Sequence, residues 1–356
     1  MGRRPVLILF VISVFLSTFS SSYGAEAQIK LKFANFITPA SRNSVLFGEF
    51  VQDMNRRSNG KLEISYYTGS TLLTASKMAA GVATGIADIG ISHCSYSRGR
   101  FPVMEVNELP VGYPSTWVGA HVVNEFYEKV KPKEWDQYHP LLFCMASPNI
   151  MQTVSKPFKT LDDLRGLRIR GTGRIADIVK ALGASPVPIE MPDVYEGLRR
   201  GVAEGILISA EVLKGFKIGE LIKYVNTTSL KIGGSFCFYV TMNRGKWDAL
   251  PDDMKKLFTD VSKEYMEKWA LAFNEMDIEA MQFFKGQGGQ IVTSSDAESA
   301  RWVKAVEPVI VEYKKDLVSK GYKEQEVDTW TGFIKERIEY WKGQEKARNI
   351  PTAYEY

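Results

Sequence analysis

Downstream of position 27 the apolar residues fall into two alternating patterns. Segments 29–33, 62–67 and 87–92 have the dense β-branched and aromatic content of strands, whereas 41–58 and 73–83 show the wider spacing of helices. The order predicts a βαβαβ unit. Asn59-Gly60 and Thr68-Gly69-Ser70 supply turns, and Ser41 or Thr38 is placed to cap the first helix. A parallel sheet flanked by helices follows, with ligands expected beyond the strand C-termini. A second block starts near Asn149, with a helical turn over 161–164, a strand over 166–170 and helices over 173–182 and 194–200. Segment 236–242 reads as a strand that returns the chain to the first lobe. Two α/β lobes joined by a hinge are therefore expected.

The clearest periodicity begins after Pro251. Met254, Leu257, Phe258, Val261, Tyr265, Trp269, Ala272, Phe273, Met276, Ala280, Phe283 and Phe284 keep three-and-four spacing. Pro251 suits the first helical position, and Asp252 and Asp253 suit the positive end of the helix dipole. At about 1.5 Å per residue this helix exceeds about 45 Å, longer than one lobe is wide, so it is predicted to span both. Two further amphipathic helices follow, one marked by Trp302, Val306, Val309, Ile310 and Tyr313, the other by Trp330, Phe333, Ile334, Ile338 and Trp341. The expected division is lobe I over 28–147 plus 235–275, lobe II over 148–234 plus 276–320, and a helical segment over 321–356.

Composition narrows the class. The chain has 45 Lys and Arg against 41 Asp and Glu, too balanced for a dedicated nucleic-acid binder. Its 356 residues exceed the roughly 250–300 at which one core stops growing, in line with two lobes. Residues 1–27 differ from the rest. Arg3 and Arg4 precede an apolar run over 6–19, then come the serines at 20–22 and Ala25-Glu26-Ala27, the pattern of a secretory signal peptide cleaved near Ala27. The run is short of the roughly 18 residues that a spanning helix needs, so a soluble protein of the periplasm is expected. Cys94, Cys144 and Cys237 are odd in number and widely spaced, which excludes a disulfide framework or a CxxC motif. Buried free thiols, or one bridge and a leftover thiol, both remain open.

Catalytic signatures are missing. His93, His121 and His139 lack zinc-site spacing, no metal or cofactor is expected, and no nucleophile elbow, phosphate loop or Ser-x-x-Lys motif occurs. Gly171-Thr172-Gly173 follows a strand and precedes a helix, a weak anion-site signal. Arg165, Arg168 and Arg170 cluster around the same strand. Solvated surface charges explain such a cluster, but Arg170 ends the strand where a cleft is expected, and a guanidinium grips a carboxylate with two parallel hydrogen bonds.

At this point the chain resembles the extracytoplasmic solute-binding proteins of the tripartite ATP-independent periplasmic (TRAP) transporters. The resemblance rests on Lys30-Leu31-Lys32-Phe33-Ala34, Asn59-Gly60-Lys61-Leu62-Glu63-Ile64, Gly85-Ile86-Ala87-Asp88-Ile89-Gly90 and Gly99-Arg100-Phe101-Pro102. It continues through Leu161-Asp162-Asp163-Leu164-Arg165-Gly166-Leu167-Arg168-Ile169-Arg170, Gly183-Ala184-Ser185-Pro186-Val187-Pro188 and Trp247-Asp248-Ala249-Leu250-Pro251. It implies a two-lobed α/β fold with a hinge and a long helix spanning both lobes. It also implies that Arg170 receives a ligand carboxylate, that Phe36, Ser92, His93, Ile150, Met191, Ile208 and Phe236 line the cleft, and that membrane subunits of a TRAP transporter are the partners. Ile150 and Ile208 stand where the sugar-acid branch carries a second Arg and an Asn, which favours a carboxylate with an apolar, even aromatic, body. Asp193 is expected to orient Arg170 or cap the following helix. A sensor-input protein of the same fold and a periplasmic hydrolase are the rival readings.

Overall fold

The computed structural model describes Gly2, residues 28–232 and residues 234–354. The export signal expected over 1–27 lies, apart from Gly2, outside the described residues. Two sheets organise the rest. The first runs in the order Leu62–Tyr67, Ile29–Asn35, Ile89–His93, Cys237–Asn243, Tyr138–Met145. Its first three strands are parallel, as the βαβαβ pattern predicts, but Cys237–Asn243 is antiparallel to both its neighbours. The sheet is mixed, because this strand re-enters from the other lobe. Ile89–His93 is buried at every position, which is why it shows no polar alternation.

The second sheet runs Gln290–Val292, Tyr224–Asn226, Ile150–Thr153, Gly205–Ile208, Arg168–Arg170, Ser185–Val187. Arg168–Arg170 is parallel to both flanking strands, with Arg170 opposite Val187 and Ile206. Three chain crossings connect the sheets, one of them through the long helix, and the other two bond to each other: Ala146 N–H donates to Phe236 O at 2.9 Å, and Asn149 N–H to Gly234 O at 3.0 Å. The paired crossings form a short ribbon between the lobes.

The helix Asp252–Gly286 has 35 residues, about 50 Å at the α-helical rise. Pro251 is its N-cap rather than its first turn. One part packs on the first lobe, where Trp269 meets Phe47 at 4.7 Å and Tyr265 meets Phe50 at 5.4 Å. Further along, Asp277 accepts from the Glu211 backbone N–H of the second lobe at 2.8 Å. The helix Asp296–Ser319 follows the second lobe, with Trp302 stacked near Phe158, and Glu324–Ala347 returns to the first, with Trp341 against Trp117 and His121.

The lobes meet along a tight seam. Gly173 opens the helix Gly173–Ala181 at φ +53°, and a Cβ there would lie 2.6 Å from Ser95 of the first lobe, so both its backbone and its contact require glycine. Beside it Arg174 donates to Glu105 at 2.8 Å and to Asp316 at 2.9 Å. Cys94, Cys144 and Cys237 are free and buried. No helix among the described residues is long and apolar enough to cross a membrane.

Candidate functional site

Between the lobes lies a small cavity. Phe36, Phe216, Phe236, Phe238 and Phe273 form much of its wall, and Asn43, His93, Tyr96, Arg170, Ser209 and Glu211 are its polar groups. A mainly apolar wall with a few convergent polar groups is the usual make-up of a small-molecule site.

Arg170 is the central charge. It ends the strand Arg168–Arg170, points into the seam and is only 1% exposed. Its Nε donates to Ile189 O at 2.9 Å, its Nη2 donates to the Tyr96 hydroxyl at 3.2 Å, and its Cζ lies 5.8 Å from the Phe236 ring centroid. Nη1 is buried and has no acceptor in the protein. Burial lowers its pKa, and the nearby Tyr96 and Glu190 offset that only in part. A guanidinium stays protonated regardless. The protein has therefore buried a cation, aimed one N–H face at a cavity, and placed no carboxylate against it.

Tyr96 joins the lobes at this point. It sits in the 3₁₀ turn Cys94–Ser97 of the first lobe, and its hydroxyl oxygen accepts from Arg170 and, at 2.9 Å, from the Met191 N–H, both of the second lobe. With two donors on its oxygen, the phenolic proton is left to be given elsewhere. His93 lies 3.8 Å from Tyr96 between ring centroids, and its buried Nδ1 has no partner in the protein. Burial first, and then the charge of Arg170, hold its imidazole well below the ordinary histidine range, so it is neutral at neutral pH.

Of the residues expected at the cleft, Phe36, His93, Arg170, Met191, Ile208 and Phe236 line this cavity. Ser92 and Ile150 do not line it. Ser92 donates to Ala75 O at 2.9 Å, on the opposite side of its strand from His93, as the two-residue period of a strand requires. Ile150 pairs with Ile208 across the second sheet and is fully buried, and of the two only Ile208 reaches the cavity. Asp193 neither bonds Arg170 nor caps its helix with a side-chain hydrogen bond. Arg165 and Arg168 are exposed surface groups, Arg165 on Asp162 and Arg168 on the carbonyls of Gly201 and Val202. Sequence reasoning missed Tyr96, Phe238 and Phe273. Phe238 follows Phe236 by one strand period, and Tyr96 comes just after a strand C-terminus, so both carried a usable signal.

Among the described residues no group of His, Cys, Asp and Glu is arranged to hold a metal ion. Two α/β lobes, a paired crossing, a spanning helix and a cavity with one buried cation that no carboxylate contacts define a two-lobed solute-binding protein. The family described as bacterial extracellular solute-binding protein, family 7 (DctP), matches residues 38–316, and the chain belongs to it. A TRAP periplasmic solute-binding protein from Desulfovibrio salexigens is 31% identical with a TM-score of 0.76, the likeness covering 88% of this chain and 97% of that one. A marine-metagenome TRAP solute-binding protein specific for aromatic acid ligands, solved with 3-hydroxybenzoate, is 25% identical with a TM-score of 0.82, covering 88% and 98%. The 2,3-diketo-L-gulonate-binding periplasmic protein YiaO of Escherichia coli is 24% identical, covering 83% of this chain and 90% of that one. The family and these relatives are binding proteins, not enzymes.

Proposed function

We propose that this chain captures a small organic acid in the periplasm, with the carboxylate on Arg170 and an apolar, aromatic body among Phe36, Phe236, Phe238 and Phe273, and delivers it to the membrane subunits of a TRAP transporter. One observation carries the reading: a buried guanidinium with an unused N–H face and no carboxylate of its own. Burying an unpaired ion costs several kcal/mol, and a ligand carboxylate arriving at that face recovers much of the cost. Tyr96 supplies a hydroxyl donor to the same carboxylate, and neutral His93 supplies a third polar contact without adding charge.

The rings supply affinity and Arg170 supplies orientation. Because Arg170 and Met191 belong to one lobe and Phe36, His93 and Tyr96 to the other, a bound acid touches both. A ligand shifts a two-lobed protein towards closure only by its greater affinity for the closed state, and contacts from both lobes give that difference. Hinge closure around a ligand is the established behaviour of periplasmic binding proteins in general. The aromatic-acid specificity of the marine-metagenome relative supports the preference for an aromatic body. The signal peptide expected over 1–27 supports export, and the family supports the transporter as recipient.

Calorimetry with aliphatic mono- and dicarboxylates and with aromatic acids tests the reading. The tightest binder is expected to be an aromatic monocarboxylate whose affinity collapses in Arg170→Ala. Near-native affinity in that variant would falsify the assignment.

A further inference from the structure

The cavity has a second polar end. Arg170 is fixed by Ile189 and Tyr96, whereas Asn43 and Glu211 belong to segments that are tied to one stretch of the long helix through Arg42, the Glu211 backbone and Lys214. Arg42, next to Asn43, bonds Glu275 at 2.6 Å and Glu279 at 3.4 Å. The Glu211 backbone N–H donates to Asp277 at 2.8 Å, and Lys214, one turn on, reaches Glu279 at 2.7 Å. Opposite lobes thus deliver Asn43 and Glu211 to the same part of one helix, close to Phe273.

A run of ring contacts leads from there to Arg170. The guanidinium lies by Phe236, which meets His93 at 4.8 Å; His93 meets Phe238 at 5.1 Å, Phe238 meets Trp269 at 5.8 Å, and Trp269 meets Phe273 at 5.6 Å. Rings of the cavity wall therefore lie between Arg170, which is beside Phe236, and Phe273 on the long helix.

Asn43 is 4% exposed, and its Oδ1 has no partner in the protein. Glu211 is 7% exposed. Burial, reinforced by Asp277, raises its carboxyl to about 8, so it holds its proton at neutral pH. An amide and a neutral carboxyl each offer a donor and an acceptor, which matches a hydroxyl group and not an aliphatic carbon or a cation.

We propose that Asn43 and Glu211 form a distal subsite for a hydroxyl group on the ligand's apolar body, making a hydroxylated aromatic acid the preferred ligand. This rests on the carboxylate reading of Arg170. Because each lobe contributes one of the two groups, the hydroxyl adds to the preference for the closed state.

Titration calorimetry with phenylacetate and its 3- and 4-hydroxy derivatives tests it. One hydroxylated acid is expected to bind at least about tenfold more tightly than phenylacetate, the effect of one or two well-formed hydrogen bonds. That ratio should fall to about one in Asn43→Ala and in Glu211→Ala and persist in Glu211→Gln, which keeps a donor and an acceptor. Since each ratio is taken within one variant, a general loss of stability cancels. Equal binding of all three acids by the wild type, with all three weakened by Arg170→Ala, overturns the subsite and leaves the carboxylate reading standing. A preference that survives both alanine variants also overturns it. Tighter binding of 4-(aminomethyl)phenylacetate than of either hydroxy acid overturns the assignment to a neutral hydroxyl. Binding of none of the acids overturns the subsite together with the aromatic-acid reading.

Discussion

Arg170 and Arg174 are four residues apart and both buried, at 1% and 4% exposure, yet their surroundings are opposite. Arg174 is enclosed by acids: Glu105 at 2.8 Å, Asp316 at 2.9 Å and Asp177 at 3.5 Å. Burial alone would lower its pKa, but those carboxylates more than offset it and hold the guanidinium above its usual range. Arg170 touches only a carbonyl, a phenol and a ring; burial lowers its pKa, and the nearby Tyr96 and Glu190 offset that only in part. A cation whose neutralising partners are built into the protein is part of the structure. A cation whose partners are missing, beside a cavity, is the one we propose for a ligand.

Glu108 shows a third solution. It is fully buried without a cation, and it accepts from the Ser95 and Cys237 N–H groups and pairs with the Ser95 hydroxyl. Burial raises its carboxyl to about 8, so it avoids an unpaired charge by keeping its proton. Arginine has no such option at any accessible pH.

The largest test of this comparison is Arg174→Ala. It leaves Glu105 buried without its cation, and it should destabilise the protein by about 3–5 kcal/mol in urea unfolding. A loss below about 1 kcal/mol would show that the seam does not depend on the pair. Arg170→Ala should behave in the reverse way. Ligand binding weakens by about 2–5 kcal/mol, as a buried carboxylate loses its partner, while the unliganded protein keeps its stability to within about 1 kcal/mol. Destabilisation as large as that of Arg174→Ala would abolish the distinction between the two.

Titration gives the third test. The folded state holds the Glu108 proton up to about pH 8, while the unfolded chain releases it near the ordinary glutamate value of 4.5. Between those values the native state binds more protons, so this group's contribution to stability falls as pH rises. Glu108→Gln, neutral throughout, should remove up to about 2 kcal/mol of the decline between about pH 6 and 8. An unchanged slope in urea melts would mean that Glu108 ionises within the fold. The smallest effect is expected of Tyr96→Phe. It keeps the ring contacts with Phe36 and His93 and loses one hydroxyl, so ligand affinity should drop by about 1 kcal/mol. No change in calorimetry would remove Tyr96 from the carboxylate's contacts.

Much of the fold was legible in the chain. The three-and-four spacing from Met254 to Phe284 marks a helix that does run over 252–286, because burying a stripe of that length needs a continuous helical face. Arg170 was legible as a candidate because a strand's C-terminal end faces the cleft in a parallel sheet. Ser92 was misplaced although strand alternation alone separates it from His93. Ile150 and Asp193 were placed by likeness to relatives, and likeness does not fix which side chain of a strand pair reaches a cavity.

The amino-acid order by itself determined the α/β elements and marked a strand-end arginine as a candidate, since those follow from periodicity and side-chain chemistry, whereas the cleft lining was expected only from the resemblance. Only the tertiary structure decided that Arg174 is neutralised and Arg170 is not. Both depend on residues far away in the chain, Glu105 and Asp316 for one and Tyr96 and Ile189 for the other. Charge compensation acts over a few ångströms of space, and proximity in space is not written in local sequence.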